Sequence, residues 1–148
     1  MKKLKLLIVL LTVSQLSCQN IDKEKEVIKN VIQTAYVEGL QNEGNIQKID
    51  SGIHPDFNLL GMGKGNSIWK YSIKDWKAKA IQKKDNGELP LSGNKKVTVD
   101  FKSIDITGTA AMAKIEFYIG SKLTYIDYIS LYKFNNGWKM VNKIFYKL

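Results

Sequence analysis

Val27, Ile28, Val31, Ile32, Ala35, Tyr36 and Leu40 recur at three- and four-residue intervals, the period of one buried helix face. They predict a helix over 22–40. Asp22 can cap it, and Glu24 and Glu26 lie in the first turn, where the helix dipole favours acids. Asn42-Glu43-Gly44 stops it, with Gly44 suited to the left-handed C-terminal cap. A short second helix fits Ile46 to Asp50 and ends at Gly52-Ile53-His54-Pro55. Phe57 to Leu60 is a short apolar strand. The glycines at 61, 63 and 65 then make a hairpin turn leading into Ser67 to Tyr71. They are not a phosphate loop, because the following Ser/Thr is missing and no helix opens directly after them. Ser72-Ile73-Lys74-Asp75 reads as a capping box with aspartate in the usual Glu/Gln position. It opens a third helix to about Lys84, with Ile73, Trp76, Ala80 and Ile81 on one face.

The second half changes to period two. Val97, Val99 and Phe101 alternate with polar residues, and then Ile104 and Ile106 carry the other parity. Such a switch marks a bulge, and bulges bend sheets. Ala111, Ala113, Ile115, Phe117 and Ile119 form the next strand, and Gly120-Ser121 suits a tight hairpin. The chain closes on Leu123 to Leu148, an aromatic-rich hairpin. With a two-residue turn at Gly120-Ser121, Phe117 lies opposite Thr124 and Lys114 opposite Asp127. With Asn135-Asn136 as the last turn, Tyr128 lies opposite Lys143. One face then carries Phe117, Ile126, Tyr128, Ser130, Val141, Lys143 and Phe145. The other carries Lys114, Asp127, Ile129, Leu131, Met140 and Ile144. Both faces are substantially apolar, whereas a sheet with one solvated face shows clean alternation. The pattern therefore asks for helices on one side and a second subunit on the other.

Composition narrows the function. The 148 residues carry a formal charge of +9, every basic residue is lysine, and arginine is absent. Arginine is the side chain suited to bidentate grip on phosphate and guanine, so nucleic acid is not an expected partner. A single cysteine and a single histidine exclude an internal disulfide and a His/Cys metal cluster. Lys2, Lys3 and Lys5 precede an apolar run from Leu6 to Val13, which is too short to span a bilayer and reads as a secretory signal. Cys18 after Ser17 resembles the bacterial lipoprotein signal, in which that cysteine becomes the lipidated N-terminus; ordinary cleavage with an unmodified Cys18 is the other reading. The expectation is a leader over 1–17, one domain over 19–148, and a lipoprotein exported to the bacterial cell envelope. Removal of three lysines leaves 20 against 14 acids, a mature charge of +6.

The order of elements resembles the nuclear transport factor 2-like superfamily, which also holds ketosteroid isomerases and the branch labelled "putative lumazine-binding". The resemblance covers about residues 22–148. Its most specific part is Asp127-Tyr128-Ile129-Ser130-Leu131 through Gly137-Trp138-Lys139-Met140-Val141-Asn142-Lys143-Ile144-Phe145, with His54-Pro55-Asp56 also fitting. It implies an α+β fold of the cystatin-like roll type: a cone-shaped, curved antiparallel sheet wrapped around three helices, with a pocket inside and a dimer on its outer face. It places Phe145 on the pocket side and Ile129 and Ile144 on the dimer side. The isomerase branch uses a tyrosine on the first helix, an aspartate base after the short helix and an aspartate on the penultimate strand. Tyr36 matches the first, Gly61 stands at the second and Ser130 at the third. Without a carboxylate base there is no evident proton abstraction.

Tyr36, Trp76, Phe117, Tyr128, Ser130, Val141, Lys143 and Phe145 are therefore the expected lining of a ligand pocket, and Ile129, Leu131, Met140 and Ile144 the expected dimer face. Tyr36 and Tyr128 could equally be core aromatics, and Lys143 a chain reaching solvent at the mouth. His54 could act as an acid/base group, but beside Pro55 at a helix end it better fits a turn-stabilising role. Asp127 opposite Lys114 reads as an ion pair near the dimer face. No catalytic residue, metal or cofactor is expected. The function these residues suggest is an envelope-anchored, homodimeric protein holding a small apolar or aromatic ligand. Two alternatives stay open: an enzyme of another kind on the same fold (hydrolase, dehydratase or isomerase), and an interaction module whose pocket is filled by Trp76 and Phe145.

Overall fold

The structure, a computed structural model, describes residues 20–148. The expected leader and Cys18 lie outside the described residues. Helix α1 covers residues 20–43. It starts as an α-helix and continues as a π-helix over Ile32–Glu43, ending at Gly44 with φ 61°. Ala35, Tyr36 and Val37 are all buried, three neighbours in a row, because α1 lies between the sheet and helix α2 (Ile46–Gly52). Two glycines permit that approach. A Cβ on Gly39 would lie 2.8 Å from Lys48 Cβ, and one on Gly52 would lie 2.6 Å from Ala35 Cβ. Val27, expected on the buried face, is half-exposed, while Ile28 and Ile32 beside it are fully buried.

Strands β1 (Ile53–Met62) and β2 (Ile68–Ser72) form the expected hairpin across the glycine turn. Helix α3 (Ile73–Asp85) begins at Ser72, whose hydroxyl accepts the Asp75 amide and donates to the Asp75 carboxylate. Ile73 and Ala80 are buried and Trp76 packs against the core, but Ile81 faces outward. Strands β3 (Val97–Thr107), β4 (Ala110–Ile119), β5 (Lys122–Phe134) and β6 (Gly137–Lys147) complete the chain. The six strands form one curved sheet in the order β2-β1-β6-β5-β4-β3. Every ladder is antiparallel except β1–β6, which is parallel. The fold is α+β, with the three helices inside the curve of the sheet.

Asn42 ties the end of α1 to the start of β3. Its side chain accepts the Val97 amide and donates to the Val97 carbonyl, both at 2.9 Å, and so takes the place of a strand neighbour. At the other end of α1, the Glu24 carboxylate receives the Trp138 indole N–H at 2.6 Å and the Lys133 ammonium at 2.8 Å.

The parity switch in β3 is a bulge, found between Phe101 and Ser103. Both late turns have two residues, since Ile119 pairs with Lys122 and Phe134 with Gly137. The pairing beyond them corrects the sequence reading. β5 bulges between the Tyr118–Leu123 and Phe117–Tyr125 pairs, where Thr124 is the extra residue. β6 bulges between the Leu131–Met140 and Ser130–Asn142 pairs, where Val141 is extra. One extra residue reverses the facing of every residue beyond it. Phe117 therefore opposes Tyr125, Lys114 opposes Tyr128, and Lys143 opposes Ile129. Ile129, Leu131 and Met140 are at most 1% exposed and belong to the core, not to a dimer face. Of that expected face only Ile144 points outward. Tyr128 and Ser130 are on the outer face, with Lys114 Nζ 5.6 Å from the centre of the Tyr128 ring.

Candidate functional site

The same bulge carries Asp127 inward. It is fully buried and meets two partners on one oxygen. Tyr36 O–H donates to Asp127 Oδ2 at 2.9 Å, and the Lys143 ammonium lies 2.8 Å from that oxygen. Lys143 also donates to the Tyr36 hydroxyl at 2.8 Å, which closes a triangle of three groups from α1, β5 and β6. Asp127 Oδ1 is buried without a hydrogen-bond partner among the described residues. The Lys143 side chain is 6% exposed. Burial pushes its pKa below the usual lysine value, and the attraction of Asp127 opposes that shift. Burial also drives the Tyr36 phenol well above its ordinary value, with the negative charge of Asp127 adding to the effect.

The triangle stands at the wall of a cavity of about 190 Å³, open to solvent on one side. Tyr36, Gln41, Leu59, Trp76, Phe117, Tyr125, Lys143 and Phe145 line it. The aromatics touch in sequence: Trp76 meets Tyr36 edge-on at 6.0 Å, Phe117 meets Tyr125 at 5.6 Å, and Tyr125 meets Phe145 at 5.6 Å. Edge-to-face pairs of this kind hold a rigid apolar wall. The Lys143 ammonium is the cation among them, 5.0 Å from the centre of the Tyr36 ring, 5.3 Å from Phe145 and 5.9 Å from Trp76.

Tyr36, Trp76, Phe117, Lys143 and Phe145 are thus brought together. Tyr128 and Ser130 are not, because β5 turns them to the outer face of the sheet, and Val141 is the bulged residue of β6 rather than a lining one. Gln41, Leu59, Tyr125 and Asp127 were missed. Gln41 shares a face with Tyr36, five residues away, only in a helix wound with i→i+5 hydrogen bonds. Asp127 had a visible signal, an acid flanked on both sides by apolar residues, but its facing depended on the bulge. The interior acid of the penultimate strand is accordingly Asp127 and not the residue at 130. Gly61 carries no carboxylate, and the Trp69 indole fills the place beside its Cα where a Cβ would stand. His54 lies outside this cavity. Its ring stacks on Phe134 at 4.9 Å, and its Nδ1 accepts the Asp56 amide at 3.1 Å, a contact local to the start of β1, where the pairing with β6 is irregular, and not in the expected turn. Among the described residues no cluster of His, Cys, Asp and Glu could hold a metal ion, and no helix is long and apolar enough to cross a membrane.

The family profile described as "Putative lumazine-binding" matches residues 23–146. Solved structures of NTF2-like proteins share the fold. One from Shewanella baltica OS155 is 23% identical, covers 85% of this chain and 94% of its own, and superposes with a TM-score of 0.63. One from Silicibacter pomeroyi DSS-3 is 12% identical, with 86% and 98% covered and a TM-score of 0.66. The CaMKII hub of S. rosetta is 13% identical, with 85% and 95% covered and a TM-score of 0.55. No curated protein matches.

Proposed function

We propose a small-molecule-binding role for this chain, which belongs to the family described as "Putative lumazine-binding". The observation that supports it is the open, aromatic-walled cavity with one buried cation on its wall. At about 190 Å³ it is smaller than the roughly 300–1,000 Å³ of pockets for drug-sized ligands, and larger than the ~150 Å³ that accommodates benzene. It suits a planar molecule of one or two rings. An ammonium has three donors, and Tyr36 and Asp127 engage two of those on Lys143. The third suits an acceptor on the ligand, such as the carbonyl of a lumazine-type ring. Trp76 and Phe145 leave the cavity open, which favours binding over a closed interaction module. The absence of a carboxylate at Gly61 favours binding over proton abstraction.

The test is calorimetric titration with lumazine and a panel of one- and two-ring heteroaromatics, beside native mass spectrometry of protein purified from its own host. Binding below about 100 μM, weakened about ten-fold or more in Lys143→Met, is expected for one charge-assisted hydrogen bond. A protein that takes up none of the panel and carries no ligand from its host refutes the reading.

The outer face of the sheet carries the half-exposed apolar side chains Met112, Tyr132, Ile144 and Tyr146. We place the homodimer contact there, because the buried Ile129, Leu131 and Met140 have no surface to offer a partner. Light scattering at micromolar concentration should give a dimer, and Ile144→Lys a monomer. Export and acylation of Cys18 complete the proposal, and the intact mass of the mature N-terminus tests them.

A further inference from the structure

Lys143 is the one buried lysine among the described residues. Stability does not account for it, because a buried ion pair is often no better than well-packed apolar residues of the same volume. Its surroundings are those that make an amine reactive. Burial disfavours the charged form. A carboxylate stands 2.8 Å from the nitrogen to receive its proton. A phenol, hydrogen-bonded to both, can carry a proton between them. The amine stands on the wall of an open cavity, so a bound molecule meets it. Lysines desolvated in apolar pockets are established nucleophiles toward carbonyl carbon.

We propose that Lys143 is a carbonyl-reactive amine, and that the cavity takes a small aryl aldehyde or ketone and holds it as an imine on Nζ. This rests on the ligand-binding reading above and names the ligand class. Asp127 first takes one ammonium proton. The freed Nζ lone pair attacks the carbonyl carbon; the C–N bond forms and the C=O π pair moves to oxygen. That oxygen is protonated through Tyr36, whose proton is replaced from the nitrogen, giving a carbinolamine. The C–O bond then breaks, and the hydroxyl leaves as water with the proton held by Asp127, while the nitrogen lone pair closes C=N. In sum, an ammonium and a carbonyl become a protonated imine and water, with no oxidant or reductant. The product carries the same single positive charge, so Asp127 pairs with it as it pairs with the ammonium.

The experiment treats the mature protein with benzaldehyde and sodium cyanoborohydride, then maps benzylated lysines by peptide mass spectrometry. Benzyl alcohol, which has the ring but no carbonyl, is titrated in parallel by calorimetry. Lys143 is expected to label on the order of ten-fold faster than exposed lysines such as Lys70 and Lys147, because the cavity holds the carbonyl against it. Lys143→Arg, which keeps the charge, should remain folded and lose only that label. Labelling of Lys143 no faster than of Lys70 overturns the inference. If benzyl alcohol binds while Lys143 stays unlabelled, the ligand-binding reading survives alone. If neither occurs, both fall for this class of ligand.

Discussion

Asp127→Asn tests the charge that the triangle depends on. The substitution keeps the shape and an acceptor oxygen for Tyr36 and Lys143, removes the ionisation, and places an amide N–H₂ at the Oδ1 position, which has no partner among the described residues. In the native protein the ammonium and carboxylate are 2.8 Å apart. At an effective dielectric constant near 20 their attraction is roughly 6 kcal/mol, and the cost of removing both ions from water offsets most of it. The pair as a whole thus contributes little. Half of it is another matter, since an uncompensated buried charge costs about 3–5 kcal/mol. Lys143 has an escape: it can release its proton. Starting from an ordinary lysine value of 10.5, neutralisation at pH 7 costs about 1.4 kcal/mol per unit, or roughly 5 kcal/mol. The loss in Asp127→Asn therefore saturates near 5 kcal/mol, a large part of the roughly 5–15 kcal/mol that holds a domain together.

Proton counting gives the sign of the pH dependence. A lysine whose folded pKa is depressed binds fewer protons when folded than when unfolded, between the depressed value and 10.5. Stability then rises as pH rises through that window. Asp127→Asn depresses the folded value further, so the deficit of the variant should shrink by up to about 1.4 kcal/mol per unit between neutral pH and about pH 9.5. Adding Lys143→Met to Asp127→Asn removes the stranded cation and should recover part of the loss. Urea unfolding detected by far-UV circular dichroism at both pH values reads the native protein and both variants. Two results would refute the reasoning: a single variant within about 1 kcal/mol of the native protein, or a double variant no more stable than Asp127→Asn.

Tyr36→Phe should cost about 2 kcal/mol at neutral pH, for the loss of hydrogen bonds to charged partners. It should also flatten the alkaline limb: the folded protein retains the Tyr36 proton that the unfolded chain releases near pH 10.0, so native stability declines above that point, and the variant should decline less. Asn42→Ala strands the Val97 N–H and C=O and should cost roughly 2–4 kcal/mol, with faster hydrogen exchange at the Val97 amide as its local signature. Gly61→Ala forces the Trp69 indole off β1. Trp69 is 40% exposed, and moving it gives up its N–H bond to the Met62 carbonyl and its packing on Phe145, so the expected cost is about 1–2 kcal/mol, with a red shift of its emission as the diagnostic.

The helices were legible in the sequence because each carries its own punctuation. Gly44 stops α1 and Ser72 and Asp75 start α3, although the 3.6-residue spacing misplaces Val27 and Ile81 and does not show the π-helical winding of Ile32–Glu43. The bulge in β3 was legible for a related reason: Val97, Val99 and Phe101 on one parity and Ile104 and Ile106 on the other are each separated by polar residues, so the change of parity shows. β5 offers no such contrast. Tyr125, Ile129 and Leu131 on one parity compete with Ile126, Tyr128 and Tyr132 on the other, and either set could face a core. The only strong polar marker, Asp127, argued for the wrong facing, since carboxylates are almost never fully buried unless paired. Its partner is 16 residues further on, at Lys143, which itself faces inward only because β6 bulges at Val141. The site therefore depends on both bulges. Without the bulge at Thr124 the facing of everything beyond it reverses, so Asp127 and Lys143 would turn outward together and leave Tyr36 without either partner. Without the bulge at Val141, Lys143 would leave the wall and Asp127 would be the uncompensated ion. The positions at which local pattern reading fails are the ones that build the site, as expected where a fold departs from its own regularity to hold reactive groups together.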